Sequence, residues 1–126
     1  MLGGKEGIMQ ILVADDNKEL RDILQMFLEK KGYKVKVVSS GDAALEELRT
    51  ENYDLAFIDH NMPEVTGLEL VKFVKQNNLK TKTVILTGYP AMRDFFAKSI
   101  GADDYISKPC SLDEVEKIVV KYKEDN

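Results

Sequence analysis

The chain has 126 residues, of which 44% are hydrophobic and 32% charged, with a formal net charge of −4. That size suits one domain with a real core, the composition is globular, and the acidic balance gives no footprint for direct nucleic-acid binding. A single cysteine, Cys110, rules out an internal disulfide, and no apolar run nears the ~20 residues of a membrane span.

Residues 1–9 read as a loose, Gly-containing arm with no continuous apolar core of signal-peptide kind, and residues 10–126 as the domain. A cytoplasmic protein without membrane insertion is the expectation. From Gln10 onward two periodicities alternate. Gln10 to Ala14 is a nearly continuous apolar run, as a parallel strand covered on both faces requires. Leu20, Ile23, Leu24, Phe27 and Leu28 then recur at helical spacing, with Gly32 as a stop. Lys34 to Val38 alternates lysine and valine, which suits an edge strand whose lysines discourage further pairing. Ser40 can cap a second helix with Ala44, Leu45 and Leu48 inward.

Leu55 to Asp59 is the third strand, and Leu68, Leu70, Val71 and Val74 mark a third helix that stops near Asn77 and Asn78. Thr83 to Leu86 is the fourth strand. A helix from around Pro90 to Gly101 carries Phe95 and Phe96, which one helix face can scarcely bury together. Asp104 to Ser107 is the fifth strand. Ser111 and Glu114 form a capping-box pattern for a last helix with Val115, Ile118 and Val119 inward.

Five strands alternating with five helices predict an α/β three-layer sandwich, a (βα)5 unit with a parallel sheet. The flavodoxin-like strand order 2-1-3-4-5 fits best, because it sets strands one and three side by side at the switch point where ligands bind. Asp15 and Asp16 follow the first strand, and Asp59 closes the third. Three converging acids repel one another, and the usual remedy is a hard divalent cation held by oxygen ligands. Thr87 ends strand four, and Lys108, before Pro109, follows strand five. A phosphoryl group visiting this place would find a carboxylate able to attack phosphorus, a hydroxyl to bond its oxygens and an ammonium to offset its charge.

The segments Asp15-Asp16-Asn17, Asp59-His60-Asn61-Met62-Pro63, Gly67, Thr87-Gly88, Gly101-Ala102-Asp103-Asp104-Tyr105 and Lys108-Pro109 stand in order at the strand ends. With these pieces the chain resembles the receiver domain of two-component response regulators, of the single-domain chemotaxis or sporulation kind, from about Gln10 to Lys123. The resemblance implies that Asp59 is the phosphoacceptor and that its phosphate comes from a histidine kinase or histidine phosphotransfer protein. It implies Mg²⁺ held by Asp16, Asp59 and the backbone carbonyl of Asn61, with Asp15 acting largely through water. Thr87 and Lys108 would hold the phosphoryl oxygens, and Thr87 and Tyr105 would form the switch. Asn61 and Tyr89 occupy positions that tune phosphoryl lifetime. Cys110 departs from the commoner aromatic or aliphatic residue after Lys-Pro.

The expected function is a stand-alone receiver that relays phosphate or docks on an unknown downstream protein, as a monomer or a weak phosphorylation-dependent dimer. It is not an enzyme beyond its own phosphorylation and dephosphorylation. Blander readings exist for each part. Asp16 or Asn17 could simply cap the first helix, Thr87 could satisfy loop amides, and Lys108 could be a solvated charge held extended, or in a cis peptide, by Pro109. His60, the one histidine, is expected to point away, and Cys110 to pack as a small apolar residue. The competing functions are a Mg²⁺-dependent aspartyl-phosphate phosphohydrolase, an FMN carrier, whose phosphate Asp15 and Asp16 would repel, and a degenerate receiver that only binds.

Overall fold

The computed structural model describes residues 8–88 and 101–124. In chain order these form β1 (Gln10–Ala14), α1 (Lys18–Lys30), β2 (Lys34–Val38), α2 (Gly41–Thr50), β3 (Leu55–Asp59), α3 (Gly67–Gln76), β4 (Lys82–Thr87), β5 (Asp104–Ser107) and α4 (Leu112–Glu124). The helix expected from Pro90, with Phe95 and Phe96, lies outside the described residues, as does Tyr89. The five strands are all parallel, in the order β2-β1-β3-β4-β5. β2 is an edge strand, with Lys34 and Lys36 exposed, as its alternation required.

Strand alternation sorts the core into two layers. Ile11, Val13, Leu55, Phe57, Val84 and Leu86 face one way and meet Leu24 and Leu28 of α1 and Val115, Val119 and Tyr122 of α4. Leu12, Ala14, Ala56, Ile58 and Ile85 face the other way, against Ala44 and Leu48 of α2 and Leu70, Val71 and Val74 of α3. Each fully buried leucine here contributes roughly 1.5–3 kcal/mol over an exposed one. Two boundaries differ from the sequence reading. Met9, assigned above to the arm, is buried in the first layer, and its carbonyl accepts from Lys34 N at 3.0 Å. β4 runs one residue further at each end than the apolar run, because Lys82 pairs with Leu55 and Thr87 with Ser107 whatever their side chains prefer.

The caps follow local chemistry. Ser40 Oγ accepts from Ala43 N, and Ser111 Oγ accepts from Glu114 N. Thr66 and Glu69 close a full capping box at α3 that the sequence reading passed over. Gly41, the first residue of α2, lies against the loop before α3: a Cβ there would overlap the Val65 carbonyl oxygen and come within 2.8 Å of Val65 Cβ. Neither atom is a flexible chain end. Gly41→Ala is therefore expected to cost about 3 kcal/mol in urea unfolding, since helix or loop must shift. A loss under about 0.5 kcal/mol would show that this contact yields freely.

Candidate functional site

β1 ends at Ala14, paired with Ile58 of β3, so the next residue on each strand arrives at the same edge of the sheet. Those residues are Asp15, which is fully buried, and Asp59, which is 5% exposed. Asp16 follows, exposed to solvent. Asp15, Asp16 and Asp59 each offer a carboxylate oxygen, and these oxygens lie within 4.8 Å of one another. His60 is not among them; its N–H donates to Leu86 O and its carbonyl accepts from Gly67 N.

Lys108 enters from β5. Its N–H donates to Thr87 O at 2.7 Å, and the peptide to Pro109 is cis. The ammonium sits 2.8 Å from Asp15 Oδ2 and 3.3 Å from Asp59 Oδ1. It is therefore a bridge between the two buried acids and not a solvated surface charge. Burial would depress its pKa, but the hydrogen bond and charge of Asp15, with those of Asp59, outweigh this and raise it. Lys108 thus stays a cation.

The three acids divide by their contacts. Asp15 has both oxygens engaged, Oδ2 by Lys108 and Oδ1 by Asn17 N at 2.9 Å. Asp59 accepts from Asn61 N at 3.3 Å and from Lys108, both on Oδ1. Among the described residues nothing claims its Oδ2. Burial pushes the Asp59 carboxyl upward and Asp15 adds to this, while Lys108 and the Asn61 N–H pull it partly back; the net direction is up. Asp16 makes no hydrogen bond or ion pair among the described residues. The bland helix-cap reading falls to Asn17, whose side chain accepts from Leu20 N at 3.2 Å, and Asp16 is left free for other work.

The surrounding loops hold this arrangement in place. After Asp59 the chain turns outward at exposed Asn61 and is pinned by buried Met62. Gly67 opens α3 directly beneath: a Cβ there would lie 2.6 Å from Asp59 O and 3.2 Å from His60 Cα. Glycine at this position lets α3 approach the acid. Thr87 is fully buried at the end of β4, one residue past Leu86, the partner of Asp59. Tyr105 is partly buried and packs on the α2/α3 layer. Cys110 is partly buried against the other layer, and burial pushes its thiol up, as suits a packing residue.

Residues 11–120 match the family model described as the response regulator receiver domain. The chain belongs to the response regulator receiver domain family. Curated relatives include the transcriptional regulatory protein DltR of Streptococcus agalactiae, 37% identical over 85% of this chain and 48% of that protein. The transcriptional regulatory protein TctD of Salmonella typhimurium is 38% identical over 86% of this chain and 49% of its own length. This receiver thus spans about half the length of the curated relatives it matches. Among solved structures, the Francisella response regulator 1452 receiver domain superposes with a TM-score of 0.85 at 33% identity, covering 94% of this chain and 99% of that one. Response regulator TrrA of Thermotoga maritima, solved in complex with Mg²⁺-BeF, gives 0.81 at 32% identity over 90% of this chain and 98% of that one.

The protein is therefore a receiver domain of a response regulator, a signalling module of two-component systems, with an acidic pocket compatible with phosphorylation and metal binding. No helix among the described residues is long and apolar enough to cross a membrane. The tertiary structure also adds Arg21, whose guanidinium donates to Asp15 O at 3.0 Å. Sequence reasoning missed it because position 21 reads only as one more charge on a helix surface.

Proposed function

We propose that the domain accepts a phosphoryl group on Asp59 from a histidine kinase or histidine phosphotransfer protein and signals by changing its protein contacts. One observation carries this reading: Asp59 has one oxygen held by Lys108 and Asn61 N and the other open, beside two further acids. The open oxygen is the nucleophile. It forms a bond to phosphorus while the bond from phosphorus to the donor atom breaks, its electron pair leaving with the donor. Hydrolysis of the resulting acyl phosphate returns the carboxylate and inorganic phosphate. Lys108 stays protonated and offsets charge on the transferred oxygens, and the Thr87 hydroxyl bonds one of them.

The carboxylates of Asp16 and Asp59, open to solvent at Asp16 and joined, as the family resemblance implies, by the Asn61 carbonyl, make an all-oxygen donor set that fits Mg²⁺, which keeps several waters. Asp15, occupied by Lys108 and Asn17 N, would act on the cation through water. When bound, Mg²⁺ supplies positive charge that offsets acid–phosphate repulsion. The complex of TrrA with Mg²⁺-BeF supports the same reading. Thr87 and partly buried Tyr105 are proposed as the switch, moving together when phosphate arrives. Asn61 and Tyr89 are proposed to tune its lifetime. For this domain the partners are proteins, in keeping with its net charge of −4, and its location is the cytoplasm.

The test is incubation with acetyl phosphate or phosphoramidate and Mg²⁺, read by intact mass. The expected result is a single phosphoryl adduct that prior EDTA prevents. No adduct with either donor would overturn the reading, and turnover of a phosphate monoester would point to the hydrolase.

A further inference from the structure

Residue 15 marks the place where the sheet runs out of partners. Asp15 N still donates to Val38 O at 3.2 Å, continuing the ladder to β2. Its carbonyl has no ladder partner among the described residues. His60 N, one step beyond the β3 pairing, donates to Leu86 O at 2.8 Å instead, and on the β2 side the chain turns at Ser40 into α2. A buried carbonyl left so would carry a full desolvation cost. Arg21 reaches back from the first turns of α1 and donates Nη1 to it at 3.0 Å.

The choice of partner is informative. Arg21 lines a groove at the β2 edge with Glu46 and Glu47, yet it forms no ion pair among the described residues. Glu46 is paired with Arg49 at 3.0 Å, and Glu47 accepts from the Tyr53 hydroxyl at 2.5 Å. The guanidinium is thereby left to the main chain at the acid pair. The Asp16 side chain makes no hydrogen bond or ion pair among the described residues. Its direction is inherited from the peptide on either side: Asn17 fixed as the α1 cap, and Asp15 fixed by Val38 at its N–H and by Arg21 at its carbonyl.

We propose that Arg21 is a positioning residue for the cation site: by holding the Asp15 carbonyl it sets the peptide that aims the Asp16 carboxylate. This rests on the cation reading above and goes beyond it, because Arg21 is not among the residues proposed to hold cation or phosphate and acts through the Asp15 carbonyl. Groups that orient metal ligands from behind typically change affinity by about 10–100-fold. Arg21→Ala is expected to weaken Mg²⁺ binding at least about tenfold by calorimetry, within that range. Arg21→Lys, which keeps charge but not the planar fork, should fall between. Gln25→Ala, one turn along the same helix, should bind as wild type.

A thermal scan run in parallel separates stability from binding, since a merely structural role would lower Tm and leave the folded protein's Mg²⁺ affinity unchanged. That outcome overturns the proposal. Should Arg21→Ala not fold, Arg21→Met, which keeps an aliphatic stem but no N–H donor, carries the same comparison. Absence of Mg²⁺ binding by the wild type would overturn the cation site itself, and the inference with it.

Discussion

Asp59→Asn is expected to abolish the phosphoryl adduct and, in EDTA, to raise stability at neutral pH. The first effect follows from removing the nucleophilic oxygen. The second follows from the upward push on the Asp59 carboxyl by burial and Asp15. A carboxyl that holds its proton more tightly when folded loses stability as pH rises from its unfolded value through its folded one, and the penalty is complete above both. Removing the charge should therefore gain about 1 kcal/mol at pH 7, or roughly 3–6 °C in Tm for a domain of this size. The difference should vanish below the ordinary carboxylate value of 3.8, where Asp59 is protonated in either state. An Asn variant no more stable than wild type at pH 7 would mean that Lys108 already compensates the buried charge in full.

Lys108→Ala should have the opposite effect on stability and an equally large one on chemistry. It leaves Asp15, fully buried, and Asp59 facing each other without their shared cation. Breaking a buried ion pair by removing one partner costs about 3–5 kcal/mol; with the Lys108 side chain 26% exposed, about 2–3 kcal/mol is the fitting expectation. With its cation gone, Asp59 is pushed further upward, so this variant should regain stability as pH falls from neutral. The wild-type lysine shows the reverse sign at the alkaline end. Its raised pKa contributes stability that is complete below the unfolded value of 10.5 and is lost as pH rises through the folded one. Adduct formation should drop by about two orders of magnitude, the scale of losing one preorganised charge at a transition state. Urea melts from pH 5 to 8 and the rate of mass gain check both; unchanged adduct formation would remove Lys108 from the proposed chemistry.

These two variants also separate what local pattern can and cannot reveal. The strand runs, the helical faces and the caps Ser40 and Ser111 were legible because they depend on residues a few positions apart. The strand order was legible because acids at the ends of two runs demand a common neighbourhood. Met9 was misplaced because it stands just before the strand pattern that begins at Gln10, next to the Gly-containing arm, while its burial depends on Lys34 and the first layer across the sheet. Gly41 passed without notice because the need for glycine comes from Val65, a residue in a different loop.

By itself, then, the sequence determined the alternating α/β architecture, its two-sided core and the set of residues gathered at the sheet's edge. Periodicity and the chemistry of strand ends are enough for that. Only the tertiary structure decided how those residues divide the work. It committed Asp15 to Lys108 and Asn17, gave the helix cap to Asn17 and left Asp16 without a hydrogen bond or ion pair among the described residues. It also sent Arg21 to a carbonyl the sheet abandons. The reason is physical: each buried polar group must be paired, and which partner is within reach depends on where strands diverge in space, not on neighbours along the chain.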